Sequence, residues 1–350
     1  GIYSTALYIY LIPYDSTNVG KGVSADPFAY TKWKLEKANT NFSPRNNHSS
    51  VVYNNKLWVI GGFYGEKLND IWNTSDGVNW TNVSYDFTGK KYNDYYKCAV
   101  LNNKIFIYNG NASNNQQIGI ADFNIWSIEN NSVKSESIVP EFAKTSAAPK
   151  TSLGMSAWYI IDSWEIIQFN NALYAICSYY DNAVSTDNGW LFDHTHNRAY
   201  KNMIWRSYDG INWVKISDNL PFKSRKWFST AVFDNKMWIT GGASYTLIGD
   251  DVKINTYYNT DAWYSSDGVN WNIATNYTGF SGRILHKTIS FDNRLWLIGG
   301  FNGTGDETDT WVTSNGVTWN KLTSYNTFGG RDGHACEVFN GKLWVIGGYK

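Results

Sequence analysis

The sequence predicts an all-β fold of six repeated four-stranded sheets, on three observations. An apolar run ending in Gly-Gly recurs along the chain: KLWVIGG closes at Gly62, KMWITGG at Gly242, RLWLIGG at Gly300 and KLWVIGG again at Gly348. Weaker copies are KIFIYNG, closing at Gly110, and ALYAICS, closing at Ser178. A second signature follows each Gly-Gly: IWNTSDGVNW ends at Trp80, IWRSYDGINW at Trp213, AWYSSDGVNW at Trp271 and TWVTSNGVTW at Trp319. Finally, the start of the chain supplies the half of a repeat that its end lacks.

The elements of one repeat follow in order. Strand a is a short run of alternating or apolar character. It ends in a tight turn at Asn54-Asn55, Asn102-Asn103, Asn170-Asn171, Asp234-Asn235, Asp292-Asn293 or Asn340-Gly341. Two β-rich runs joined by such a pair read as a hairpin. Strand b is the run that closes in Gly-Gly. After a variable loop, strands c and d flank an Asp-Gly or Asn-Gly turn, because glycine tolerates positive φ. The second repeat carries a decayed form, IWSIENNSVK, with Lys134 at the Trp position. The last copy stops after strands a and b. STALYIYLIP near the start reads as strand c, and YTKWKLEK, with Trp33, as strand d. The two ends are therefore expected to share one sheet, which leaves only short, protected edges.

An apolar strand ending in Gly-Gly, a variable loop and a spaced Trp resemble the kelch family over essentially the whole chain. The resemblance implies a six-bladed β-propeller of four-stranded blades. Residues 1–350 are expected to form a single domain, closed by N-terminal strands c/d joining C-terminal strands a/b. The S-x-D-G-x-x-W hairpin is also similar to the Asp-box of sialidase-type propellers, though one residue shorter; the likeness is one of turn structure.

Composition excludes several classes. The 30 basic and 30 acidic residues cancel, so no charge excess points to nucleic acid or an anionic membrane. No apolar stretch is long enough to span a bilayer, so no direct membrane insertion is expected. Ala6 to Pro13 is too short, and lacks the basic flank, to be a signal peptide. The chain begins with Gly1, so a processed product is expected, with any export signal upstream. Three cysteines make no disulfide framework. Cys98 and Cys336 share one repeat position, filled elsewhere by Ser50, Thr230 and Thr288, and all three read as buried thiols. Phosphate-loop, dinucleotide, zinc-protease and nucleophile-elbow motifs are absent, and no cofactor or catalytic residue is assigned.

Candidate binding residues come from two sources. In kelch-like propellers the d–a and b–c connections share one face, where ligands usually bind. Here the long connections fall on blades three and four: about Pro140 to Asp162, Tyr179 to Met203, and Ala243 to Thr260. Long loops in a compact domain are often functional. Their aromatics, Trp158, Trp164, Tyr179, Tyr180, Trp190 and Tyr245, suit a protein partner or a sugar face. The second source is the d–a motif Phe-x-x-Arg-x-x-His: Phe42/Arg45/His48, Phe280/Arg283/His286 and Phe328/Arg331/His334. Phe222 and Arg225 keep it in part, with Phe228 at the His position. Blades two and three replace Arg and His by Asn93/Tyr96 and Ile161/Trp164. Two readings stand: a ring of arginines for an anion at the pore mouth, or internal scaffolding that binds carbonyls within the blades. No metal site is assigned; His194 and His196 in DHTHN are weak candidates, and His48, His286 and His334 lie too far apart by blade spacing.

The expected function is a non-enzymatic recognition module for a protein or glycan, at the cell surface or outside the cell. Nine Asn-x-Ser/Thr sequons permit glycosylation there. The alternatives are an enzyme on a sugar-like substrate, by resemblance to sialic-acid mutarotases, and a structural subunit of a larger surface assembly.

Overall fold

The computed structural model describes residues 8–12, 32–37, 40–83, 96–109, 124–136, 159–181, 200–248, 253–322 and 329–350. Among them every regular element is a strand. The N-terminal strands β1 (Tyr8–Ile12) and β2 (Lys32–Lys37) complete a sheet with β27 (Ala335–Phe339) and β28 (Lys342–Ile346), in the order β2-β1-β28-β27. Tyr8 lies opposite Ile346 in that sheet, just as Ile71 lies opposite Ile60 in the first full repeat.

Five further four-stranded sheets come from contiguous stretches of chain. Blade one is β3 (Ser49–Tyr53), β4 (Lys56–Ile60), β7 (Ile71–Thr74) and β8 (Thr81–Asn82), with a small β5 (Phe63–Tyr64)/β6 (Glu66–Lys67) ribbon beside it. Blade two is β9 (Tyr96–Leu101) to β12 (Ser132–Glu136), and blade three is β13 (Tyr159–Phe169) to β16 (Val214–Ser217). Blade four is β17 (Ser229–Phe233), β18 (Lys236–Thr240), β21 (Ala262–Ser265) and β22 (Asn272–Thr275). A ribbon of β19 (Ala243–Ile248) and β20 (Lys253–Tyr258) rises from it. Blade five is β23 (Lys287–Phe291) to β26 (Asn320–Lys321). The first strands of the blades touch in cyclic order, and β27 of the composite sheet closes onto β3. The arrangement is a β-propeller around a central channel.

The turns explain the sharp hairpins. Asn54 and Asn55 have φ of 51° and 54°, and the equivalent pairs in the other blades do the same. That is the left-handed pair a two-residue hairpin requires, and Asn adopts it more readily than most residues. In the c–d turn of blade one, Thr74 Oγ1 accepts the Gly77 N–H at 2.9 Å, and Asp76 Oδ1 accepts the Val78 and Asn79 amides at 2.7 and 2.8 Å. The same bonds recur around Ser207/Asp209, Ser265/Asp267 and Thr313/Asn315.

The core is a set of wedges between neighbouring blades. The repeated Trp of strand b is its pivot. Trp58, Trp238, Trp296 and Trp344 each donate their indole N–H to the last carbonyl of strand a, at 2.8–3.1 Å. The ring then meets the c–d turn glycine of the following blade: a Cβ on Gly77 would lie 2.1 Å from Trp344, and one on Gly316 1.9 Å from Trp238. In blade two Phe106 takes the Trp position, 2.7 Å from a Cβ on Gly210, and in blade three Tyr174 takes it, 2.3 Å from a Cβ on Gly268, its hydroxyl donating to the Asp267 carbonyl at 3.4 Å. Thus the strand-b Trp and the turn glycine are two halves of one inter-blade contact.

Candidate functional site

The four arginines of the repeated motif lie inside the blades, 0–1% exposed. Arg45 binds Asp70 through both Nη atoms at 2.7 and 2.9 Å. Arg225 grips Asp261 at 2.6 and 2.8 Å, and Arg283 grips Asp309 at 2.5 and 3.2 Å. The same Nη1 donates to the first carbonyl of the Gly-Gly pair, at Gly61, Gly241 and Gly299. Each carboxylate also accepts an indole N–H from Trp72, Trp263 or Trp311 at 2.7 Å. Burial alone would raise these aspartate pKa values, but the guanidinium outweighs it and holds all three below the ordinary range. Arg331 donates to the Gly347 carbonyl at 2.7 Å, and burial lowers its pKa to about 10. These bonds turn the guanidiniums toward their own blades; the pore-mouth anion ring is replaced by a set of internal clamps.

The histidines of the motif are equally internal. His286 shares a 3.0 Å hydrogen bond with Thr240 of the preceding blade. Ile298 and Ile346 take the place of Thr240 on the blades that precede His334 and His48. Burial, followed by the neighbouring arginine charge, lowers the pKa of all three, so they are neutral at pH 7. No cluster of His, Cys, Asp or Glu among the described residues could hold a metal ion.

Above the clamps, loops of four blades are laced together. Leu285 N–H donates to the Trp227 carbonyl, Gly333 to Leu285 and Asn47 to Gly333, at 2.7–3.1 Å, while Trp227 N–H donates to Ser163 Oγ. Asn47, Trp227, Leu285 and Gly333 all have φ between 52° and 58°. A left-handed Trp or Leu is costly, and the belt of bonds holds it in place.

Two structures rise from this face over neighbouring blades. In blade three, β13 has 11 residues and β14 (Ala172–Asp181) has 10, against five in the equivalent strands of blade one. The extra length is all on the loop side, about 20 Å of strand. In blade four, the six-residue β19/β20 ribbon stands to a similar height. Tyr258 anchors it against Phe301 of blade five, with ring centroids 6.5 Å apart. Lys226 Nζ lies 4.1 Å from the Trp227 ring centroid and 4.6 Å from that of Tyr245. Lys223 Nζ lies 5.6 Å from the ring of Tyr257, which is 48% exposed.

The central channel is a cavity of about 490 Å³ lined by the first strand of every blade. Four charged side chains face it: Lys97, Glu165, Lys287 and Glu337. Lys97 and Glu165 form a 2.6 Å ion pair between blades two and three. Glu337 accepts a 2.8 Å bond from Ser50 across the closure between the composite sheet and blade one. Burial raises the Glu337 pKa to about 7, against the opposing pull of Ser50 and Lys287.

Residues 44–73, from the clamp arginine of blade one to its Asp-x-Trp, match the family model described as the kelch motif. One kelch motif is thus shown on a chain folded as a β-propeller. No curated protein matches it in sequence. Among solved structures the similarity includes the structure of YjhT, with a TM-score of 0.58 and 12% identity over 88% of this chain and 91% of that one. At that identity the likeness concerns the fold alone.

Within this propeller, the aromatics picked out from the sequence separate into three groups. Trp164 and Tyr179 are 6% and 4% exposed and belong to the wedge between blades two and three, so neither offers a face to a ligand. The reason is that β13 and β14 run on into the expected loops, converting loop positions into core. Tyr245 is half-buried against Lys226 at the ribbon base. Tyr180 lies on β14 opposite Tyr200. Trp158, Trp190, His194 and His196 lie outside the described residues. Sequence reasoning missed the charged channel. Its signal was present as Lys97, Glu165 and Lys287 at one repeat position, immediately after the Tyr96, Trp164 and His286 slot.

Proposed function

We propose that this propeller, acting as one unit over residues 1–350, is a non-enzymatic recognition module that binds a polypeptide through the raised rim of blades three and four. The β19/β20 ribbon carries the reading. It is an insertion that the ring does not need, it projects about 20 Å, and it presents Tyr257 and the Lys223–Tyr257 contact on the outside. A two-stranded ribbon also offers open backbone edges, the usual template for an added strand. Kelch propellers commonly serve as protein-binding scaffolds, and the internal clamps turn Arg45, Arg225 and Arg283 to framework use here.

The test is site-specific photocrosslinking in the native source, with the crosslinker at Tyr257 or at Tyr208 on the opposite, hairpin face. Tyr208 is 61% exposed and serves as the control. The proposal expects one discrete protein adduct from Tyr257, none from Tyr208, and loss of the adduct in Lys223→Glu. Equal labelling from both positions, or capture of a glycan in place of a protein, overturns it.

A further inference from the structure

We propose that the central channel binds a small zwitterion of the α-amino-acid class, its carboxylate on the Lys287 ammonium and its ammonium on the Glu337 carboxylate. This site is separate from the rim and independent of the polypeptide it recognises.

The argument begins with strand register. Lys97 and Glu165 occupy the same repeat position on adjacent blades, so they stand at one level of the channel and meet at 2.6 Å. Lys287 stands at that level on blade five, directly after His286. The composite sheet has Ala335 there, and its carboxylate, Glu337, follows two residues later. Two residues of strand offset them by about 6.6 Å along the channel. Lys287 has no ion pair among the described residues, and the described bond to Glu337 is from Ser50 to Oε1. Adjacent blades therefore hold a cation and a carboxyl group apart, both facing one cavity.

The other charges leave this pair exposed to a ligand. Lys97 and Glu165 neutralise each other, and His48 on the cavity wall is neutral. A simple anion would satisfy Lys287 and leave Glu337; a simple cation would do the reverse. A molecule with an ammonium and a carboxylate on one carbon spans the offset with one charge-assisted hydrogen bond of about 2.8 Å at each end. The volume of about 490 Å³ leaves room for a side chain and lies within the range of small-molecule pockets, roughly 300–1,000 Å³.

A bound ammonium favours the ionised carboxylate. Because Glu337 is partly protonated near pH 7 in the free protein, binding releases a proton below that pH and tightens as pH rises toward 8. The charged groups sharing its cavity are Lys97, Glu165 and Lys287.

Isothermal titration calorimetry of the full chain with the common L-α-amino acids, acetate and methylammonium tests this. At least one amino acid is expected to bind with a Kd below about 1 mM, with proton release shown by dependence on buffer ionisation enthalpy at pH 6.5. Glu337→Gln and Lys287→Met are each expected to weaken it about tenfold or more. Glu337→Gln keeps shape and hydrogen bonding, and circular dichroism checks that both variants fold. No amino-acid binding up to about 10 mM, binding unchanged in folded variants, or acetate or methylammonium binding equally well, each overturns the proposal.

Discussion

Asp309→Ala tests whether the repeated arginine is held for its own blade. Asp309 is the most enclosed of the three clamp carboxylates: its side chain is 6% exposed, against 18% for Asp261 and 29% for Asp70. Removing it leaves the Arg283 guanidinium, itself fully buried, with the Gly299 and Ser281 carbonyls and Ser281 Oγ as described hydrogen-bond partners and only the more distant Glu307 carboxylate, at 3.8 Å, as counter-charge. Breaking one partner out of a buried pair costs about 3–5 kcal/mol. Unfolding entropy of about 2.1 cal/mol/K per residue over a chain of this length gives roughly 0.7 kcal/mol/K, so the midpoint should fall by about 4–7 °C if the ring melts as one unit. Asp70→Ala should cost less, about 1–2 kcal/mol, because water already reaches that carboxylate. The pH sign follows from the lowered pKa of Asp309. Its contribution is complete above the unfolded value near 4 and is lost as pH falls through the lower folded value. Calorimetry of wild type, Asp309→Ala and Asp70→Ala decides the matter. A loss for Asp309→Ala no larger than for Asp70→Ala would refute the argument from burial.

Other expectations are as specific. Gly316→Ala should cost about 2–4 kcal/mol in urea unfolding, because its Cβ would lie 1.9 Å from Trp238 at a φ of +74°, whereas Gly305→Ala, with open space, should be nearly neutral. Asp332→Asn should gain stability relative to wild type between pH 5 and 8. Burial and then Asp306 raise the Asp332 pKa to about 7, so the folded state binds the extra proton and wild type loses stability as pH rises through that window. Cys98, Cys177 and Cys336 are buried free thiols, and burial raises their pKa, for Cys98 to about 12. Thiol reagents at pH 8 should label none of them in the native protein and all three in denaturant.

The frame was legible because each repeated residue makes a repeated bond. Gly-Gly, the paired Asn turns and the spaced Trp all appear at the positions their patterns demand, down to the composite sheet with Trp33 buried in it. The role of the arginines was legible too, had each been read with its carboxylate. Asp-x-Trp at Asp70, Asp261 and Asp309 accompanies Arg45, Arg225 and Arg283. Asn124 and Met203 stand in its place in blades two and three, where the arginine is Asn93 or Ile161. The extended strands of blade three hid better. Their apolar residues look like loop aromatics until pairing through Ile160–Tyr180 shows that the hairpin continues. The channel was hidden for a different reason. Lys287 and Glu337 acquire meaning only through a two-residue offset between adjacent blades, and that offset is a property of the assembled ring.

The composite sheet has a consequence for the timing of synthesis. Leu11 pairs with Leu343, so a strand made at the beginning must wait for one made more than 330 residues later. At ribosomal speeds of about 5–20 residues per second that wait is roughly 15–70 s. During it β1 is a bare apolar strand, and the half-built ring has an open flank at either end. Such long-range pairing is slow to find its partner. The nascent chain is therefore most vulnerable to aggregation just before its final strand emerges, and a chaperone able to shield YIYLI over that interval should raise the yield of closed rings more than any gain in the stability of an individual blade.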